Sequence, residues 1–314
     1  METATVLVAT WTDGVFVFAG ESRHQELAGQ PVRALASDGQ GGALAIVNGY
    51  SLCRRRFDGE WFALATTEFQ LACAVGVGDV IYVGTDDARV LRVGTNGTIV
   101  HLRGFDSMVG RDTWYAGSAL IDGKIVGPPL GIRSMTATSD GAVLLANVHV
   151  GGIPRSTDGG LTWQPTIDVG SDVHEVRAHP RHPGVVIAAA AIGLCSSRDG
   201  GATWAVEREG LHASYCSAVA FSRDDLLVSA SADHFATQSA VYRRAIDGQG
   251  PLEAIGAGLP RWLDGIVDTS CIAARAAALA LTDKAGNVYL STDAGRTWSR
   301  RADGLPSASS VLIV

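Results

Sequence analysis

The sequence predicts an all-β fold, a seven-bladed propeller of four-stranded antiparallel blades closed by its own C-terminal strand. Three observations carry this. One eight-residue pattern, S-x-D-[G/A]-G-x-T-W, occurs three times, its aspartates 41 and then 94 positions apart, about one and two units of a repeat in the forties. Short apolar runs bounded by turn dipeptides fill the intervals. The composition, with 38 glycines, 18% charged residues and 3 methionines among 314 positions, suits many tight turns and not long helices.

Taken in order, residues 3–27 hold three strand-like runs, Thr5–Ala9, Val15–Ala19 and Arg23–Leu27, one short of a blade. Blade 2 follows with Val32–Ala36, Ala43–Val47 and Ser51–Phe57, then the turn Asp58-Gly59 and Trp61. Blade 3 has Leu71–Val75, Val80–Gly84 and Val90–Val93, then the N-G turn of Thr95–Thr98. Blade 4 has Ser134–Thr138, Val143–Asn147 and the pattern at Ser156–Trp163; blade 5 has Val173–Ala178, Val185–Ala190 and the pattern at Ser197–Trp204. Blade 6 runs through Ser217–Phe221, Leu226–Ala230 and Val241–Ile246 to Asp247-Gly248. Blade 7 has Cys271–Ala274, Ala277–Leu281 and the pattern at Ser291–Trp298. The final run, Val311–Val314, has no partner of its own; paired with the first three strands it completes the ring and removes the exposed edges. Rings of six or eight blades also fit the period. Closed all-β folds reach this length as one domain, so residues 1–314 are read as one propeller with an inserted loop, 104–131, between blades 3 and 4.

The recurring pattern has a turn chemistry. A short Asp side chain bonds backbone N–H groups of its own turn, glycine supplies positive φ, the Ser and Thr hydroxyls add local bonds, and the Trp buries a large face. The aspartates are therefore read as structural. On these residues the chain resembles BNR/Asp-box propellers, of the sialidase-like and photosystem-II-assembly-factor-like kind. Blade 5 carries the fuller repeat, with the turn His179-Pro180-Arg181-His182-Pro183-Gly184 between its first two strands. The resemblance covers most of the chain at the level of fold and carries no single activity with it.

The resemblance implies that the Asp-box and His-Pro turns share one face, and that ligands meet the opposite face, built from loops between second and third strands and between blades. His179 and His182 then belong to the structural face, whereas His149, His174, His212 and His234 fall on the other, in blades 4 to 6. Neutral imidazoles converging from rigid strand ends suit a divalent metal, so His149, His174 and His234 are the candidate ligands, with Asp172, Glu175 and Asp233 as orienting groups. Tyr215 and His212 are the candidate proton carriers. The 104–131 insert, with Arg111, Trp114 and Tyr115, reads as a lid; Trp11 and Asp13 of blade 1 and Arg261 and Trp262 before blade 7 read as further ligand contacts.

A net charge of −7 argues against a nucleic-acid partner, and Arg54-Arg55-Arg56 reads as a solvated strand edge. No run is apolar enough to span a membrane and no signal peptide shows at the N-terminus. Five cysteines without a C-x-x-C spacing point to buried thiols in a reduced, cytoplasmic protein. The expected function is a small-molecule enzyme of lyase or hydrolase type with a histidine-held divalent metal and no nucleotide cofactor. The alternative is a non-catalytic propeller that binds a protein partner or ligand on the same face. A sialidase or other glycosidase fits less well: Gly152-Ile153-Pro154-Arg155 runs straight into an Asp box, and no motif unites Arg111, Arg133 and Arg261.

Overall fold

A computed structural model of the chain describes residues 4–114, 119–121, 124–126 and 130–314. Among these residues, seven antiparallel blades stand around a central channel, and helix is confined to two 3-10 turns, Arg111–Thr113 and Val169–Ser171. From the channel outward, blade 1 is ordered Ala308–Ile313, Thr5–Thr10, Val15–Ala19 and Ser22–Glu26. The last strand of the chain is thus the innermost strand of the first blade, with Val6 opposite Ile313 and Val8 opposite Val311. The other six innermost strands are Val32–Ser37, Leu71–Val77, Ile132–Ala137, Val173–Ala178, Tyr215–Ser222 and Ile272–Arg275. Blade 6 gains an extra member, Leu263–Asp264, paired with the start of Gln238–Ala245. A small hairpin, Ala119–Ile121 with Lys124–Val126, lies in the segment between blades 3 and 4.

Strand position explains strand composition. The second strands, such as Ala43–Val47, Leu144–Val148 and Val186–Ala190, are buried along their whole length because both faces pack on neighbouring blades, and they read as apolar runs broken in these three only by Asn147. The outermost strand of blade 1, Ser22–Glu26, is polar and largely exposed. Between blades 2 and 3 the packing is Leu44, Ile46 and Leu52 with Leu71, Ile81, Val83 and Leu91. Each such side chain contributes about 1.5–3 kcal/mol on burial.

The three Asp boxes repeat one set of bonds. In blade 4, Ser156 Oγ donates to Asp158 Oδ1 at 2.8 Å and accepts the Gly160 N–H at 2.9 Å, and Thr162 gives both its N–H and its hydroxyl to the Asp158 carboxylate, at 2.9 and 2.6 Å. Asp199 and Asp293 hold Thr203 and Thr297 with the same distances. Thr162 and the bonds to it hold Asp158 down to about 2, and Thr203 does the same for Asp199. The carboxylates are saturated by their own turns and have no free chemistry. In the third box the first glycine position is Ala294, which still adopts φ 60°. The His-Pro turn is equally self-contained: His179 is buried, its Nε2 donates to the Arg223 carbonyl at 2.8 Å, and its Nδ1 accepts N–H groups from Arg181 and His182 at 3.1 Å.

Arg54-Arg55-Arg56 departs from the expected solvated edge. Arg55 forms a two-pronged bond to Glu26 of the previous blade, at 2.6 and 2.8 Å, and Trp61 donates its indole N–H to the same carboxylate at 2.8 Å. The middle arginine is therefore an inter-blade clamp. All five cysteines are free and buried, and burial pushes the thiols of Cys73, Cys195 and Cys216 up to about 12.

One backbone feature positions the site. In six blades the pairing of the innermost strand with its neighbour slips by a residue near the end opposite the Asp boxes. The extra residue on the inner strand is Ser309 in blade 1, Arg33 in blade 2, Ala72 in blade 3, Arg133 in blade 4 and His174 in blade 5. A bulge re-aims its side chain out of the inter-blade packing. Here it does so at one level of the ring.

Candidate functional site

The bulges surround a cavity of about 920 Å³ in the channel mouth, on the face opposite the Asp boxes. Blades 4 to 6 supply His149, Asp172, Tyr215 and His234 to its wall, and the loop entering blade 7 supplies Asp268, Thr269 and Ser270. That loop reaches past blade 6: Thr269 donates its hydroxyl to the His174 carbonyl at 3.2 Å, and Arg177 donates to Ser270 Oγ at 3.2 Å. Beneath them Glu175, wholly buried, takes Arg177 on one oxygen at 2.7 Å and the Val219 N–H on the other at 3.0 Å. The polar wall is thus fastened from behind.

Within that wall, His149, Asp172 and His174 present donor atoms that all lie within 4.8 Å of one another. His149 Nε2 stands 3.5 Å from Asp172 Oδ1, and His174 Nε2 stands 3.6 Å from Asp172 Oδ2. These separations are too long for hydrogen bonds. They match donors held about 2.1 Å from a shared tetrahedral ion, which stand about 3.4 Å apart. His174 is 1% exposed; its Nδ1 bonds the Cys216 carbonyl at 2.6 Å, which puts the proton on Nδ1 and leaves the Nε2 lone pair facing Asp172. Among the described residues, His174 Nε2 and Asp172 Oδ1 are both buried without a hydrogen-bond partner. Buried polar atoms ordinarily have one. Asp172 is brought here by a left-handed backbone turn (φ 48°) that ends the 3-10 turn Val169–Ser171 just before the inner strand of blade 5.

The electrostatics fit ligation. Burial first, and then the nearby Arg133 charge, push His149 down to about 4, so its imidazole is neutral at neutral pH. Burial works to raise Asp172, but contact with His174 and the charges around it hold its carboxyl below the ordinary value. Burial, and then Asp172, push the Tyr215 phenol up to about 12, which keeps it a hydrogen-bond donor. The second His/Asp group, His179, His182 and Asp224 on the Asp-box face, lacks this character because both His179 nitrogens are already engaged.

The structure places His149, His174 and Asp172 next to one another, without His234. His234 lies exposed at the rim, its ring against Phe235. Tyr215 lies on the cavity wall with its ring 4.6 Å from His174. His212 is elsewhere: its Nδ1 meets the Tyr242 hydroxyl at 2.7 Å and its ring packs edge-on against Trp262, so neither reaches the cavity. Arg261 stacks on Trp262 from outside. Trp11 does line the mouth, beneath the Arg33 guanidinium. Asp13 instead braces the blade 1 turn by accepting the Gly29 N–H at 2.8 Å.

In the insert, Phe105 and Trp114 are buried with Trp163, the Phe105 ring 5.1 Å from that of Trp163. Arg111 donates to the Ala88 carbonyl at 2.8 Å and lies over Trp114. These residues anchor the segment to blades 3 and 4 and do not face the cavity; Tyr115 lies outside the described residues. Sequence reasoning missed Arg33 and Asp86, which pair through both guanidinium nitrogens at the mouth, and the cavity role of Arg133. The signal was present: each bulge arginine interrupts an apolar strand one residue after its first position, as in Val32-Arg33 and Ile132-Arg133.

Residues 289–300 match the BNR/Asp-box repeat family. The chain is a seven-bladed propeller that carries Asp-box turns. Among solved structures, this propeller is similar to a GH74 enzyme from Niastella koreensis, with TM-score 0.64 and 14% identity over 94% of this chain, which spans 46% of that one. It is similar to YCF48 bound to a D1 peptide, with TM-score 0.56 and 14% identity over 96% of this chain and 85% of the other. It also resembles a protein proposed to be a 6-phosphogluconolactonase, from Bacteroides uniformis, with TM-score 0.66 and 14% identity over the full length of both. At this identity the likeness is one of fold. A search of the curated proteins finds no match.

Proposed function

We propose that this propeller is a metal-dependent enzyme acting on a small molecule in the channel mouth, of lyase or hydrolase type, with His149, Asp172 and His174 as the metal ligands. The observation that carries the reading is the buried, unpartnered His174 Nε2 facing Asp172, with its ring fixed from behind by the Cys216 carbonyl. Two imidazoles and a carboxylate are a donor set for zinc or a similar divalent ion with a position left open for substrate. Such an ion polarises a carbonyl or lowers the pKa of water. The chain's own contributions are distinct. Arg133 stands near enough to depress His149 and offers a cation to substrate oxygen, and protonated Tyr215 offers a hydroxyl. His234 adds a further imidazole at the rim.

The test is thermal unfolding of the purified chain with and without Zn²⁺, alongside elemental analysis. A ligand present at a hundred times its Kd stabilises by about 2.7 kcal/mol. For a domain of this size that raises Tm by roughly 5 °C, and His174→Ala is expected to abolish the rise. An unchanged Tm with no bound metal would sink the metal reading. A second reading, capture of a protein segment on the same face, draws on Trp11 and Phe235, 47% and 84% exposed at the mouth, and on the likeness to YCF48 bound to a D1 peptide.

A further inference from the structure

The cavity has two unlike walls. On the side of blades 5 to 7 nearly every lining side chain is polar, from Asp172 and Arg177 to Asp233, Asp268 and Ser270. On the side of blades 2 to 4, below the rim, the lining is Ala34, Leu35, Ala72, Ala74, Ile132 and Met135. None of these carries a polar side-chain atom, and Ser134, the further lining residue here, turns its hydroxyl to the Val176 N–H at 2.9 Å. The nearby Cys73 thiol is already spent on the Ile132 carbonyl at 3.3 Å. Above this wall Arg33 and Asp86 satisfy each other. The alanines also account for the room: larger side chains at these positions would fill the bore.

Arg133 stands between the two walls. It projects from the bulge of blade 4, and its loose contact is Asp268 across the mouth, at 3.5 Å. Among the described residues its guanidinium has no closer polar partner, and so has donors to spare beside the His149–Asp172–His174 cluster. A planar fork next to a cation matches a carboxylate, with one oxygen on each.

We infer that the ligand of this cavity is a small carboxylic acid with an apolar or aromatic body. Its carboxylate lies between Arg133 and the His149–Asp172–His174 cluster, and its body lies along the Ala34, Ala72 and Ala74 wall under Trp11. This rests on the metal reading for one half of the head group and on the wall composition for the rest. A polyhydroxylated acid of the same size fits worse, because hydroxyls turned to the alanine side chains lose water without gaining a side-chain partner. The inference thus separates this site from the sugar phosphate chemistry suggested by one structural neighbour.

The experiment is isothermal titration of the full chain in two stages. Zn²⁺ is titrated first, and then cinnamate, galacturonate, cinnamyl alcohol and inorganic phosphate are titrated into protein with and without Zn²⁺. Cinnamate is expected to bind at least tenfold tighter than each of the other three. Arg133→Gln should weaken cinnamate at least tenfold. Ala74→Gln should weaken it while leaving Zn²⁺ affinity unchanged, which shows that the variant is folded. Zn²⁺ binding without preference for cinnamate, or with galacturonate or phosphate preferred, overturns the inference and leaves the metal reading standing. Arg133-dependent cinnamate binding without any Zn²⁺ binding does the reverse. Binding of neither ends both.

Discussion

His174 divides its two ring nitrogens between fold and site. Nδ1 is held by the Cys216 carbonyl of the next blade, and Nε2 is left bare toward Asp172. Replacing it with Gln should keep much of the packing but misplace the donor; we expect zinc affinity to fall at least 100-fold with Tm of the metal-free protein changed by a few degrees only, checked by titration and calorimetry. A different residue tests the Asp-box geometry. Ala294 sits at φ 60° where the other two boxes have glycine at 70° and 68°. Left-handed backbone costs an L-residue roughly 1–2 kcal/mol, and glycine's extra freedom when unfolded returns about half of that. Ala294→Gly is therefore expected to stabilise the protein by about 0.5 kcal/mol in urea melts; destabilisation would contradict this account of the turn. At this scale the histidines were legible because their blade and strand position fixed which face they reach. The place of Asp172 beside the two imidazoles and that of His212 away from the cavity were not legible. One depends on a left-handed turn, the other on which way a loop side chain folds back onto Tyr242.

At the level of elements, the Asp box is a saturated turn whose carboxylate must be charged to work. Asp158 and Asp199 are held down to about 2 chiefly by the hydroxyls of Thr162 and Thr203, against about 3.9 in an unfolded chain. A depressed folded value contributes stability that is complete above about pH 4 and is lost as pH falls toward 2. Stability measured by urea unfolding should fall across this window. Asp199→Asn should be about 1 kcal/mol less stable at pH 6 and lose less on acidification, since one titrating group is gone; an unchanged pH slope would contradict the assignment. The bulge is the second telling element. The strand runs were readable from apolar content and turn dipeptides, because burial between blades demands both. The slipped pairing at Arg33, Arg133 and His174 was not placed, because an arginine after the first apolar residue of a strand reads as an exposed position as readily as an extra one. The insert was misread for a related reason. Phe105, Arg111 and Trp114 look like a lid by composition, yet Phe105 and Trp114 join a hydrophobic cluster with Trp163 and Arg111 bonds the Ala88 carbonyl.

For the whole molecule, closure is the stabilising decision. The strand Ala308–Ile313 supplies the channel edge of blade 1, burying Val311 and Ile313 and pairing with Val6 to Thr10. Two buried aliphatic side chains at about 2 kcal/mol each, with several ladder hydrogen bonds at about 1 kcal/mol, approach the whole stability of an ordinary domain. A chain ending at Leu305 should lose its cooperative melt in circular dichroism, and retention of the full transition would show that the ring does not depend on this strand. The same ring sets the face on which the site lies, by running every inner strand from the cavity toward the Asp-box side. The His149–Asp172–His174 site is tested by an anomalous difference map from crystals soaked in Zn²⁺. A peak is expected about 2.0–2.2 Å from His149 Nε2, His174 Nε2 and an Asp172 oxygen. A map with no peak there, or with zinc at His179 and His182 instead, would contradict it.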